Sequence, residues 1–175
     1  MLRDAVLTLS QTCEVISVVA RSTQRLQRLQ RDVEAVGGCL HPITVDYRDT
    51  KALLATLEEA SLLHGDIELV VAWIHSVAPE APSVIAQHVE CMKGPIPFFH
   101  VRGSAVADPS RLPPANPLLS RKGLSYHEVI LGFLLTNRGS RWLTDEEISS
   151  GTCEAILEGE PRWVVGAVSP WSARP

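Results

Sequence analysis

The sequence predicts an α/β fold: a mostly parallel sheet with helices on both faces, three layers in all. Three observations carry the prediction. Short strand-like runs recur at residues 14–20, 40–46, 67–74 and 96–101. The first is β-branched and cannot be amphipathic, which is the mark of a strand covered on both faces of a parallel sheet. Segments with apolar residues at helical spacing lie between them. The alternation of helix and strand then repeats through the first hundred residues, the signature of a layered α/β architecture with right-handed crossovers. A chain of 175 residues fits one domain, 1–175.

Taken in order, Leu2, Ala5, Val6 and Leu9 follow helical spacing within residues 1–11. The strand EVISVVA (14–20) follows. Arg21-Ser22 opens a helix over 23–36, with Leu26, Leu29, Val33 and Val36 on one side, and Gly37-Gly38 stops it. LHPITVD (40–46) reads as a strand. Asp49 or Thr50 caps a third helix whose apolar stripe includes Leu53, Leu54, Leu57 and Leu63. IELVVAWI (67–74) is the clearest buried strand, 79–92 a helix, and IPFFHV (96–101) a further strand. Residues 104–124 then break the pattern. Pro109, Pro113, Pro114 and Pro117 exclude a regular helix there, so this is a long proline-rich loop within the domain. YHEVILGFLLT (126–136) reads as one strand and Asn137-Arg138-Gly139-Ser140 as a turn. Thr144 with Glu147 makes a capping box for a helix to about residue 157. RWVVGAV (162–168) is the last strand.

Composition narrows the function. Apolar residues are 45% and charged residues 21%, which excludes wholesale disorder. The formal net charge of -4, without a basic block, argues against a nucleic-acid binder. No uncharged apolar run approaches the roughly 18 residues of a membrane span, and residues 1–10 are not patterned as a secretory signal. Cys13, Cys39, Cys91 and Cys153 form no CxxC pair and stand beside no histidine at ligand spacing, so no metal site is expected. Scattered thiols suit a reducing compartment, and a cytoplasmic protein is expected.

The order of segments resembles the short-chain dehydrogenase/reductase family, whose Rossmann fold binds NAD or NADP. VISVVARS (15–22) is similar to that family's second strand and exit, and ITVDYRD (43–49) to its third strand with an acidic exit. LVVAWIHS (69–76) corresponds to the fourth strand, and FFHVRGSA (98–105) to the fifth with its serine-bearing exit. The resemblance covers residues 1–105 well and the remainder loosely. Two departures accompany it. The chain begins inside what corresponds to the first helix, so the expected sheet lacks the first strand and the glycine-rich turn that seats a pyrophosphate. Either its two neighbours close up, or another chain fills the gap, or the native protein is longer. The family's Tyr-x-x-x-Lys pair is also missing: Ile130 stands four residues after Tyr126, and Lys122 four before it.

The resemblance implies a set of site residues. Arg21 and Ser22 stand where the adenosine ribose is read, and a guanidinium there suits the 2′-phosphate of NADP. Asp46 and Tyr47 occupy the adenine-side exit. Trp73, Ile74 and His75 leave the fourth strand at the carboxyl edge, where open α/β sheets bind ligands, and Ser76 follows as a possible ribose partner. Gly103 leaves the fifth strand beside Ser104, which roughly matches the family's substrate serine. The catalytic candidates are Ser104, Tyr126 and His75. The expected ligand is a dinucleotide, NADP-type, or another small molecule. The expected function is an NADP-dependent short-chain oxidoreductase. The alternatives are a non-catalytic nucleotide-binding protein, or a Rossmann protein that oligomerises through open sheet edges as a homo-oligomer.

Overall fold

The structure is a computed structural model that describes residues 1–111, 116–137 and 139–175. The elements run α1 (Arg3–Leu9), β1 (Ile16–Ala20), α2 (Thr23–Ala35), β2 (Leu40–Thr44), α3 (Thr50–His64), β3 (Val70–Trp73), α4 (Ala81–Val89) and β4 (Ile96–Gly103). They continue with β5 (Leu124–Leu131), β6 (Phe133–Thr136), β7 (Gly139–Trp142), α5 (Asp145–Glu158) and β8 (Arg162–Val165). The predicted alternation is therefore present.

Helix starts are set by short polar side chains that satisfy orphan backbone donors. Ser22 accepts from the Arg25 amide at 3.3 Å and Asp49 from the Ala52 amide at 3.0 Å. Thr144 and Glu147 form the reciprocal capping box, and Gly159 ends α5 in the left-handed region at φ 66°.

The parallel sheet comes in two parts. β1 pairs only with β2, while β3, β4, β5 and β8 form a four-stranded parallel sheet in that order. Strands β1 and β3 do not pair with each other, so the parallel sheet is divided between them. On one face, α1 packs against both α2 and α5. On the other, α3 packs against α4. Phe99, Val101, Val129, Leu131, Ile148, Ala155 and Val165 form the core cluster under α5. Leu53, Leu57, Ala78 and Ala81 form a second cluster, which Val19 of β1 and Ile74 beyond β3 both reach.

One expectation needs correction. The run 126–136 is two strands, because the chain turns out of the sheet at Gly132. A Cβ there would lie 2.1 Å from the Ala167 carbonyl oxygen, and Phe133 bridges Ala167 directly after it. β6 then folds back on β7 as an antiparallel hairpin. The proline-rich stretch has no α-helix or strand among its described residues. It carries short 3₁₀ turns at Ser104–Ala107 and Pro117–Ser120, and Leu118 within it is buried. Pro113, Pro114 and Arg138 lie outside the described residues. Among the described residues no helix is long and apolar enough to cross a membrane and no group of three metal-ligating side chains occurs. All four cysteines are free thiols.

Candidate functional site

Parallel strands deliver their carboxyl ends to one edge of a sheet, and that edge holds two cavities here. The first, about 400 Å³, is lined by Arg21, Asp46, Tyr47, Arg48, His75, Ser76 and Val77. These residues follow β1, β2 and β3 in turn, so three separate strand exits meet at one place. The second, about 410 Å³, lies over the exits of β3, β4 and β5. Trp73, Gly103, Ser104, Leu131, Trp142 and Ile148 are among its lining residues. Trp73 opens on the second cavity and His75, two residues later, on the first. The exit of β3 is thus the divide between them.

The first cavity is charged. The Arg48 guanidinium forks onto both Asp46 carboxylate oxygens, with its Nε 2.9 Å from Oδ2. The Asp46 side chain also accepts from the Arg48 backbone amide at 3.0 Å. These bonds hold the Asp46 carboxyl down to about 2, and Arg48 is correspondingly raised. Arg21 adds a weaker pull on Asp46 through space. Arg21 itself is exposed and has no ion pair or hydrogen bond among the described residues. The cavity therefore holds one arginine already neutralised by a carboxylate and one with its donors free. Ser22 caps α2 and does not line the cavity. Tyr47 has its ring against the Leu53–Leu57 cluster and still reaches the cavity wall. His75 is exposed, with its ring 6.2 Å edge-on to Trp73.

The second cavity is mostly apolar. Ser104 is 6% exposed, and its hydroxyl has no hydrogen-bond partner among the described residues. Gly103 leaves open space where a side chain would stand. Arg174 is the cation at the rim, its guanidinium 4.7 Å over the Trp171 ring. Ile74 lines neither cavity: its side chain packs into the core with Leu53, Leu57 and Ile85.

Tyr126 lies elsewhere. It sits in the first half of β5, in register with Phe98, away from the carboxyl edge. Its hydroxyl and His100 Nδ1 are 3.0 Å apart. Burial pushes the Tyr126 hydroxyl up to about 12 and His100 down to about 4. Both are therefore neutral near pH 7, and the structure does not bring Tyr126 together with Ser104 or His75. His127, its neighbour, is bonded to Ser125 and to the Glu160 carbonyl and stacks on Phe99.

Several lining residues escaped the sequence reading. Arg48 was legible in principle, two residues after Asp46 in a turn where a fork is the natural geometry. Trp142, Ile148 and Arg174 reach the second cavity from the hairpin, α5 and the final segment, and no local pattern announces that.

No family model and no curated protein matches the sequence. Solved structures do. A putative oxidoreductase from Escherichia coli superposes with a TM-score of 0.72 at 13% identity, over 99% of this chain and 94% of that one. A short-chain dehydrogenase/reductase from Serratia marcescens gives 0.68 at 15% identity, over 94% and 91%. A short chain dehydrogenase from Burkholderia cenocepacia, solved in complex with NADP, gives 0.67 at 12% identity, over 93% and 91%. The chain thus has a Rossmann-like fold of the short-chain dehydrogenase/reductase type.

Proposed function

We propose that this chain binds an NADP-type dinucleotide along the carboxyl edge, across both cavities. The observation that carries the reading is Arg21, a guanidinium with free donors at the exit of β1. It shares its cavity with Arg48, which Asp46 already neutralises. A 2′-phosphate offers the anion that Arg21 lacks, through charge-assisted hydrogen bonds. Asp46 and Tyr47 would face the adenine, and His75 and Ser76 the ribose. Trp73, Gly103 and Ser104 would meet the nicotinamide end. Solution of a Burkholderia short chain dehydrogenase with NADP supports this choice of ligand on this fold.

Hydride transfer is the second reading, and Ser104 favours it. A free hydroxyl on an apolar wall is placed to hydrogen-bond a substrate carbonyl. The bound nicotinamide would supply the hydride. Tyr126 is too far from this edge to share the work, and no tyrosine–lysine pair lines either cavity.

Fluorescence titration with NADPH and NADH tests the proposal. The expected result is saturable binding that prefers NADPH. Arg21→Ala should remove the preference, weakening NADPH by about 10- to 100-fold, the worth of a hydrogen bond to a charged group. Equal affinity of the parent chain for NADH and NADPH would reject the 2′-phosphate assignment. NADPH oxidation with small apolar aldehydes and ketones, lost in Ser104→Ala, would establish the second reading over binding alone.

A further inference from the structure

The apolar cavity over the exits of β3, β4 and β5 carries a charged side chain at its rim, and the last segment of the fold supplies it. That segment is fastened beside the cavity. The Phe133 amide donates to the Ala167 carbonyl at 2.9 Å and the Ala167 amide to the Phe133 carbonyl at 2.8 Å, next to Leu131 and Gly132 of the cavity wall. A short 3₁₀ turn over Trp171–Ala173 follows, and the Arg174 amide donates to the Trp171 carbonyl at 3.3 Å. Side chains three apart eclipse in a 3₁₀ turn. The Arg174 guanidinium accordingly lies 4.7 Å from the centroid of the Trp171 ring. Stacking takes up the face of a guanidinium and leaves its N–H edge for hydrogen bonds.

Among the described residues nothing accepts from that edge: the Arg174 side chain has no ion pair and no hydrogen bond. Asp108 feels its charge but is already answered, by the Ser110 hydroxyl at 2.6 Å, the Ser110 amide at 2.9 Å and Arg111 at 3.4 Å. No acidic side chain lines the cavity among the described residues. Its walls are apolar and in part aromatic, with Trp73 from β3, Leu131 from β5, Trp142 from the hairpin and Ile148 from α5. Within them stands the buried Ser104 hydroxyl. An uncharged ligand would cover part of the guanidinium and return no hydrogen bond, which costs free energy. A carboxylate returns two, in a fork.

Resting on the hydride-transfer reading above, we propose that this cavity takes one class of substrate: an aromatic aldehyde or ketone that bears a carboxylate. Its ring lies against Trp73 and Trp142, its carbonyl accepts from Ser104, and its carboxylate accepts from Arg174. Tryptophan walls favour a flat ring over an alkyl chain of the same length. In the reaction the carbonyl carbon takes a hydride from the reduced dinucleotide and the carbonyl oxygen takes a proton from water. The C=O double bond becomes a C–O single bond with one new C–H and one new O–H bond. The dinucleotide is left oxidised and the carboxylate is unchanged. Arg174 determines specificity, because it holds the end of the substrate that does not react.

Calorimetric titration of the full chain with para-formylbenzoate and with para-methylbenzaldehyde, each with and without saturating NADPH, is the test. The carboxylate should bind more tightly by about 10- to 100-fold, the worth of a hydrogen bond to a charged group, and Arg174→Gln should bring the two affinities level. Arg174 is exposed, so the substitution removes no core contact. NADPH oxidation with the same two aldehydes should show the difference in KM rather than kcat, as expected of a group remote from the reacting carbon. Equal binding of the two by the parent chain, or none, would overturn the proposal. So would an advantage that survives in Arg174→Gln. A loss of NADPH affinity of the same size in that variant would also overturn it and assign the cation to a phosphate of the dinucleotide. Binding of the carboxylate through Arg174 without any NADPH oxidation would reject hydride transfer and support the ligand class, so the two readings fail separately.

Discussion

Strands β4 and β1 both read from the sequence as short apolar runs and end in different surroundings. In β4, Phe98 is 0% exposed, Phe99 2% and Val101 2%. In β1, Ile16, Val18, Val19 and Ala20 are only half-buried, and Ser17 is exposed. Strand β4 has β3 on one side and β5 on the other; β1 has β2 alone. A short apolar run thus announces a strand, but its depth of burial depends on the neighbours it acquires. The four-stranded part holds the larger core, and the two-stranded part carries the free guanidinium of the charged cavity.

Core truncation gives the widest separation between the two parts. Phe98→Ala removes a ring packed among Ala72, Ala86 and Leu118 and stacked with Tyr126. It should cost about 3–5 kcal/mol in urea unfolding. Val18→Ala, on a half-buried strand, should cost about 1 kcal/mol or less. Equal costs would erase the distinction.

Acid sensitivity should separate the parts next. Burial, with a smaller push from Arg102, depresses His100 from 6.5 to about 4. Between these values the unfolded chain binds the proton and the folded chain does not. Stability is therefore full above about pH 6.5 and falls as pH drops toward 4, by up to about 3 kcal/mol. His100→Gln should flatten that limb in urea melts taken from pH 7 to 4. Asp46, in the smaller part, is held from 3.8 down to about 2 by Arg48. Its contribution is present above about pH 4 and is lost only as pH falls through 2. Asp46→Asn should leave the limb above pH 4 unchanged.

How much of this was legible in the sequence follows from the range of the forces involved. Caps are local: Ser22, Asp49 and Thr144 are each answered within three residues, and all three helix starts could be read directly. The exits of β1, β2 and β3 were legible because alternation fixes the topology, and topology carries Arg21, Asp46 and His75 to one edge. The break at Gly132 was not, since its cause is the Ala167 carbonyl, thirty-five residues on. Tyr126 illustrates the same limit. Its residue type suggested chemistry, but strand register places it at the far end of β5, where His100 takes its hydroxyl.

The smallest effect concerns the cover of the larger part. Glu147 links the α5 start to the hairpin: it accepts from the Thr144 amide at 2.8 Å and from Arg141 at 2.8 Å. These bonds hold its carboxyl down to about 2. Thr144→Ala removes the acceptor for the Glu147 amide and should cost about 1 kcal/mol, within the range of lost N-caps. Helix α5 packs on β5 and β8 and brings Ile148 to the apolar cavity, and it contributes nothing to the charged one. The variant should therefore melt a few degrees lower and keep the NADPH-over-NADH preference proposed for the parent chain. A changed preference would mean that the two parts are coupled through α1, which touches both α2 and α5. In that case the division of the sheet would not be a division of the energetics.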